Sequence, residues 1–100
     1  MLEKRIINLE IGKDLRDRLQ YRMQQSDLKE PVPSISWGKW DDEKEERFMI
    51  GFYERSRLPV WDPVRLIEAD GIEFLIIQDW ICDELEGKKL DIVDGELSVF

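Results

Sequence analysis

Asp94-Gly95 stands between two alternating runs, residues 90–93 and 96–100, and no other short signal in the chain restricts its fold as tightly. Asp-Gly favours positive φ at both central positions of a two-residue turn, the geometry that closes a β-hairpin. The hairpin ends a stretch, residues 71–100, that reads as strand, short helix and hairpin. The strand is residues 72–78, IEFLIIQ, with β-branched residues on both faces. Asp79 is placed to cap the short helix over residues 79–86, with Ile81 and Leu85 turned inward. Gly87 reads as its C-terminal stop.

Upstream, residues 5–11 (RIINLEI) put Ile7, Leu9 and Ile11 on one face, which predicts a strand that Gly12 ends. From residue 13 to about 25 the apolar spacing turns helical, with Leu15, Leu19 and Met23 on one stripe. Asp14 and Asp17 lie in the first turns, where the helix dipole favours acids. Residues 4–22 carry six basic and three acidic side chains, a mild basic patch that reads as solvation of the helix rather than a phosphate site. Pro31-Val32-Pro33 forces an extended chain, and a strand is expected over residues 34–40. The acidic run 41–46, DDEKEE, predicts a solvated turn. It pairs that strand with residues 47–56. Phe48, Ile50 and Phe52 share one face of the second strand, and Met49, Gly51 and Tyr53 the other. Apolar residues on both faces predict a central strand. A two-proline connection, residues 58–63, places Trp61 to cover an edge of the core. Residues 64–69 form a further strand before the turn signal Asp70-Gly71.

The expected fold is one domain over residues 1–100, α+β and β-rich. It has mixed or antiparallel strands in two packed sheets, one N-terminal amphipathic helix and one short helix near 79–86. Hydrophobic residues make up 42% of the chain and charged residues 38%, a balance that fits a folded domain with a heavily charged surface.

The order of these pieces resembles the HesB or A-type iron–sulfur carrier family. Ile7-Asn8-Leu9-Glu10-Ile11 followed by an amphipathic helix is similar to the family's first strand and helix. Asp70-Gly71-Ile72 leading into an apolar strand is similar to a later strand. Leu85-Glu86-Gly87-Lys88-Lys89-Leu90-Asp91-Ile92 is similar to the family's Leu-x-Gly-x-x-Ile-Asp-Tyr segment. The resemblance spans most of residues 6–100 and implies two small packed sheets. The family's chemistry has no residues to carry it. Its members hold iron or a cluster with three cysteines, one after a central strand and two in a Cys-Gly-Cys tail. This chain has one cysteine, Cys82, in the predicted short helix, and none near Ser36-Trp37-Gly38-Lys39 or beyond residue 82. A cluster needs several soft thiolate ligands, so no cofactor is expected.

Other chemistry is limited in the same way. With no histidine, the Ser-His-Asp and Cys-His arrangements and histidine-bound metals are excluded. There is no phosphate-binding glycine loop. Cys82 has Asp79, Asp83 and Glu84 beside it, which raise a thiol pKa, and it reads as a buried structural residue. The run 41–46 lacks the glycine and spacing of a calcium loop. The chain reads as no enzyme.

The net charge of −8 is uneven: residues 1–50 carry ten Lys/Arg against eleven Asp/Glu, and residues 51–100 carry five against twelve. That balance argues against nucleic acid and anionic membrane, and it suits a basic protein partner. The leading expectation is a HesB-like domain without iron–sulfur binding that works through protein contacts. The alternative is an acidic immunity or inhibitor protein blocking a basic partner such as a toxin. Trp37 and Trp40 lie three apart, so on a regular strand they face opposite ways, one to the core. Trp40 and Trp61 are the residues expected to touch a partner, since Trp is enriched at binding hot spots. A single cysteine, a charged N-terminus and the lack of a long apolar run lead to a cytoplasmic expectation. The sequence leaves the oligomeric state open.

Overall fold

A computed structural model describes residues 4–39, 41–59 and 64–100. Among these, the chain forms eight strands and two α-helices. The strands are β1 (Lys4–Ile6), β2 (Leu9–Ile11), β3 (Pro31–Gly38), β4 (Arg47–Glu54), β5 (Arg65–Ala69), β6 (Ile72–Ile76), β7 (Lys88–Val93) and β8 (Glu96–Val99). Helix α1 is Lys13–Gln25, helix α2 is Trp80–Leu85, and a 3-10 turn covers Arg55–Arg57. A five-stranded sheet has the order β1-β5-β6-β3-β4, and a three-stranded sheet the order β2-β7-β8. Both are mixed, with parallel pairs β1·β5, β3·β6 and β2·β7. The fold is therefore the expected α+β class.

The main core lies between the two sheets and the helices. Ile35, Ile67, Phe74 and Ile76 from the larger sheet meet Leu15 and Leu19 of α1, Ile81 and Leu85 of α2, and Leu90 of β7. The opposite face of the larger sheet carries a smaller cluster of Val32, Val64, Leu66 and Leu75. Strand β6 thus buries both of its faces, as its two-sided sequence predicts. Asp70-Gly71 and Asp94-Gly95 both take positive φ at both positions, the form of turn that Asp-Gly favours. Gly87 ends α2 with φ +77°.

Four expectations need correction. The strand over residues 5–11 is two strands in different sheets: β1 pairs with β5, β2 with β7, and the chain crosses between them at Ile7 and Asn8. The alternation survives, since Ile7, Leu9 and Ile11 are all buried, but alternation encodes a face and not a pairing partner. Strand β4 is not central; it is an edge strand. Its core-side face packs against the main core through Phe48, Ile50 and Phe52, while Tyr53 on the other face is exposed, so apolar residues on both faces did not mark a central strand. The prolines are inside β3, not before it. Arg55 N–H donates to Glu30 C=O (3.0 Å), which fixes the alternation of the β3–β4 ladder. Pro31 and Pro33 then fall in the pairs that exchange no hydrogen bond with β4, and the β6 ladder begins only at Ser34. The Asp79 side chain makes no capping bond to α2; its carboxylate sits 3.3 Å from Arg65 Nε.

The crossing segment is held by carboxylates from distant turns. Asn8 N–H donates to Glu86 (2.9 Å), Ile11 N–H to Asp70 (3.1 Å) and Leu15 N–H to Asp91 (3.0 Å). Helix α1 has Gly12 at its N-cap and no cap from its own side chains. Asp91 of β7 supplies that cap from across the fold, with one oxygen accepting from Leu15 and also from Ile92 (2.8 Å). Gly12 has ordinary φ, −69°. Its requirement is space, because a Cβ there would overlap the Asp91 carboxylate.

Replacing Gly12 by Ala should displace Asp91 and uncap α1, at a cost of about 1–3 kcal/mol. A lower melting temperature by differential scanning calorimetry checks it. The two N–H donors, Leu15 first, hold the Asp91 carboxyl below the usual carboxylate range. The folded state therefore binds fewer protons there than the unfolded chain. Its stabilisation is present above the unfolded value, about 3.9, and is lost as pH falls through the folded one. In urea melts, the drop in midpoint between pH 7 and pH 3 should be smaller for Asp91→Asn than for the wild type.

Candidate contact surface

Three aromatic rings from three elements meet at one end of the larger sheet. Trp37 of β3 lies directly opposite Phe48 of β4, in a pair that the ladder alternation leaves without mutual hydrogen bonds. Such pairs bring side chains closest, and the ring centroids are 4.8 Å apart, edge to face at 77°. Trp80, the first residue of α2, joins them at 6.1 Å from Trp37 and 6.4 Å from Phe48. Trp37 and Phe48 are half-buried against the main core. Trp80 is 45% exposed.

The position of Trp37 is fixed by a side chain that extends the sheet. The β3–β6 ladder runs through Ser34↔Leu75 and Ile35↔Ile76, followed by Ile77 N–H donating to Ile35 C=O (3.1 Å). At the next position the chain turns toward α2, and the Gln78 amide takes over the pairing. Its oxygen accepts from Trp37 N–H (2.9 Å), and its nitrogen donates to Trp37 C=O (2.6 Å). Trp37 is thus held by backbone-like bonds at the rim of the sheet, with α2 starting beside it. A rigid aromatic surface costs little ordering entropy when something binds it.

Trp37 packs against the main core. Trp40 and Trp61 lie outside the described residues. Within the described cluster, Trp80 carries the exposed aromatic face. It escapes a sequence reading because it sits at the start of the short helix, where its exposure depends on the direction in which α2 leaves β6.

Cys82 is 1% exposed within α2. Burial pushes its thiol pKa up, and the Asp79 carboxylate adds to the rise. The side chain packs with the main core. Among the described residues, no three His, Cys, Asp or Glu side chains converge as a metal site. Many of the charged groups are engaged in ion pairs, including Arg16–Asp70 (2.8 Å), Arg55–Glu73 (2.8 Å) and Arg47–Glu43 (2.9 Å), the last tying the acidic run to β4. No helix among the described residues is long and apolar enough to cross a membrane. No protein-family description, curated protein or solved structure matches the chain.

Gln78→Leu should remove both bonds to Trp37 and cost about 1–3 kcal/mol; chemical unfolding with tryptophan fluorescence reports both the loss and the loosened ring. Cys82 should react with a thiol reagent at pH 8 only as fast as the protein opens, and rapidly in denaturant. Fast stoichiometric labelling of the folded protein would contradict the burial.

Proposed function

We propose that this chain is a non-catalytic protein-binding domain with a HesB-like fold that binds no iron–sulfur cluster. The observation that carries the reading is the exposed face of Trp80, backed by Trp37 and Phe48 and braced through Gln78. Anchored aromatic side chains with a hydrophobic surround are the usual centre of a protein contact. The two packed sheets, with a helix after the first strands, suit the family resemblance of residues 7–11, 70–72 and 85–92.

The residues do not fit the cluster that such a fold would otherwise imply. A cluster takes several thiolates. The chain has one cysteine, and it is buried in α2 with its pKa raised. With no histidine, the chain also lacks the commonest general base, and its one thiol is inaccessible.

The uneven acidity favours a second reading, an immunity or inhibitor protein directed at a basic partner. Long-range attraction would speed its association, and added salt would slow it.

Two measurements test the reading. Anaerobic reconstitution with iron and sulfide should yield no stoichiometric visible chromophore. Capture from native extract should recover a defined partner with the wild type and lose it with Trp80→Ala. Equal recovery with both proteins removes the aromatic surface from the reading. Partner association that slows at least tenfold between low and high salt favours the inhibitor reading.

A further inference from the structure

Strand β4 ends the larger sheet, and its outer edge has no partner strand among the described residues. The ladder alternation directs the bonding groups of residues 47, 49, 51 and 53 toward β3. Those of Phe48, Ile50 and Phe52 therefore point outward. Unpaired edges are normally blunted by prolines or inward charges, or kept short. This one runs eight residues, with charged side chains only at Arg47 and Glu54 and an uncharged FMIGFY between them.

Side chains of α1 and β4 together line two cavities, the first shared with the β7–β8 hairpin, whose strand β8 comes close to β4. One, of about 270 Å³, has Arg18, Arg22 and Arg47 around a floor that includes Leu19, Ile50 and Leu97, with Glu96 at its β8 side. The other, of about 450 Å³, continues past Arg22 to Tyr21, Gln25 and Phe52. Residues 18 to 25 of α1 therefore run in step with residues 47 to 52 of β4. Arg22 sits over the Phe52 ring at 5.6 Å. Neither Arg18 nor Arg22 has an acidic partner among the described residues, in a chain of net charge −8. Arg18 and Arg22 are one helical turn apart, about 6 Å along the axis. Alternate residues of an extended strand are spaced about 6.6 Å. A strand laid on β4 would thus bring side chains i and i+2 to the two arginines.

We infer that the free edge of β4 is a docking site for an extended acidic peptide of a partner protein, added as a further strand. Its backbone pairs with Phe48, Ile50 and Phe52, and acids on one face meet Arg18 and Arg22. The inference rests on the protein-binding reading and gives that binding a second surface with its own chemistry. Local charge selects an acidic segment here even though the molecule as a whole is acidic.

The probe is a fluorescein-labelled decapeptide of alternating valine and glutamate, followed by fluorescence anisotropy against the wild-type chain. Saturable one-to-one binding is expected, weakened by salt, with the valine–lysine counterpart at least tenfold weaker. Arg18→Glu with Arg22→Glu should raise Kd about tenfold or more; both side chains are exposed, so the fold is kept. Ile50→Pro removes an outward N–H and spares the β3 ladder, and should weaken binding similarly. Peptides N-methylated at every valine or at every glutamate repeat that test with the protein unaltered, and one of the two should lose about tenfold. Several results overturn the inference: no binding, equal binding of the lysine peptide, or equal binding of both methylated peptides. So does sedimentation showing a dimer of the unliganded chain that Ile50→Pro dissociates, since the edge then belongs to a second copy. Trp80→Ala should leave the peptide Kd unchanged. Loss of partner capture in that variant alone therefore reports on the aromatic surface, and a failed peptide titration reports on this edge.

Discussion

The fold depends on how one short segment crosses between two sheets. Residues 7 to 12 leave the larger sheet after β1, enter the smaller as β2, and start α1 without a cap of their own. A chain that changes sheets loses ladder partners for part of its backbone, and a donor left unpaired as it is buried is costly. Here the missing acceptors are carboxylates: Glu86 for Asn8, Asp70 for Ile11 and Asp91 for Leu15. Bonds from N–H to an ionised acceptor are stronger than neutral ones. Each carboxylate also ties the segment to a different turn or strand. Asp70 in addition binds Arg16 of α1, so one residue joins a hairpin turn, a strand and a helix. Three of the many acids in this chain thus fasten its backbone from the surface, a role that composition alone does not reveal.

What the sequence shows and what it hides divide along a physical line. The span of α1, the two Asp-Gly hairpins and the stop at Gly87 were legible because each is fixed by neighbouring residues: helical spacing in one case, positive φ in the others. The split of residues 5–11, the edge position of β4 and the inclusion of Pro31 and Pro33 in a strand depend on which segment lies beside which. Face-to-face burial leaves a trace in apolar alternation. In-plane pairing leaves none, so a two-sided apolar strand reads the same at an edge as at the centre. One local clue did exist for Asp91. A helix that begins at Gly12 without a Ser, Thr, Asp or Asn needs a cap from elsewhere.

The contact surface shows the same division. Spacing gave opposite faces to Trp37 and Trp40 without saying which ring faces the core; Trp37 packs there, and the ring exposed beside it is Trp80, from a different element. The uneven charge was visible as a sum. It gave no sign that α1 and β4 gather Arg18, Arg22 and Arg47 at one groove, because those residues are brought together only by the helix running in step with the edge strand.

The three carboxylate fastenings also bear on when the chain can fold. Their sequence separations are 78, 59 and 76 residues, and β1 and β2 pair with β5 and β7 rather than with each other. Contacts this distant in sequence slow folding, since a large loop must close before they form. During synthesis the first strands and α1 would emerge with their acceptors still unmade. The β3–β4 hairpin can form on its own terms, but the amino-terminal segment must wait until Asp91 has left the ribosome. Folding of this domain is therefore expected to end late, with the amino-terminal segment drawn in only once its distant acceptors are in place.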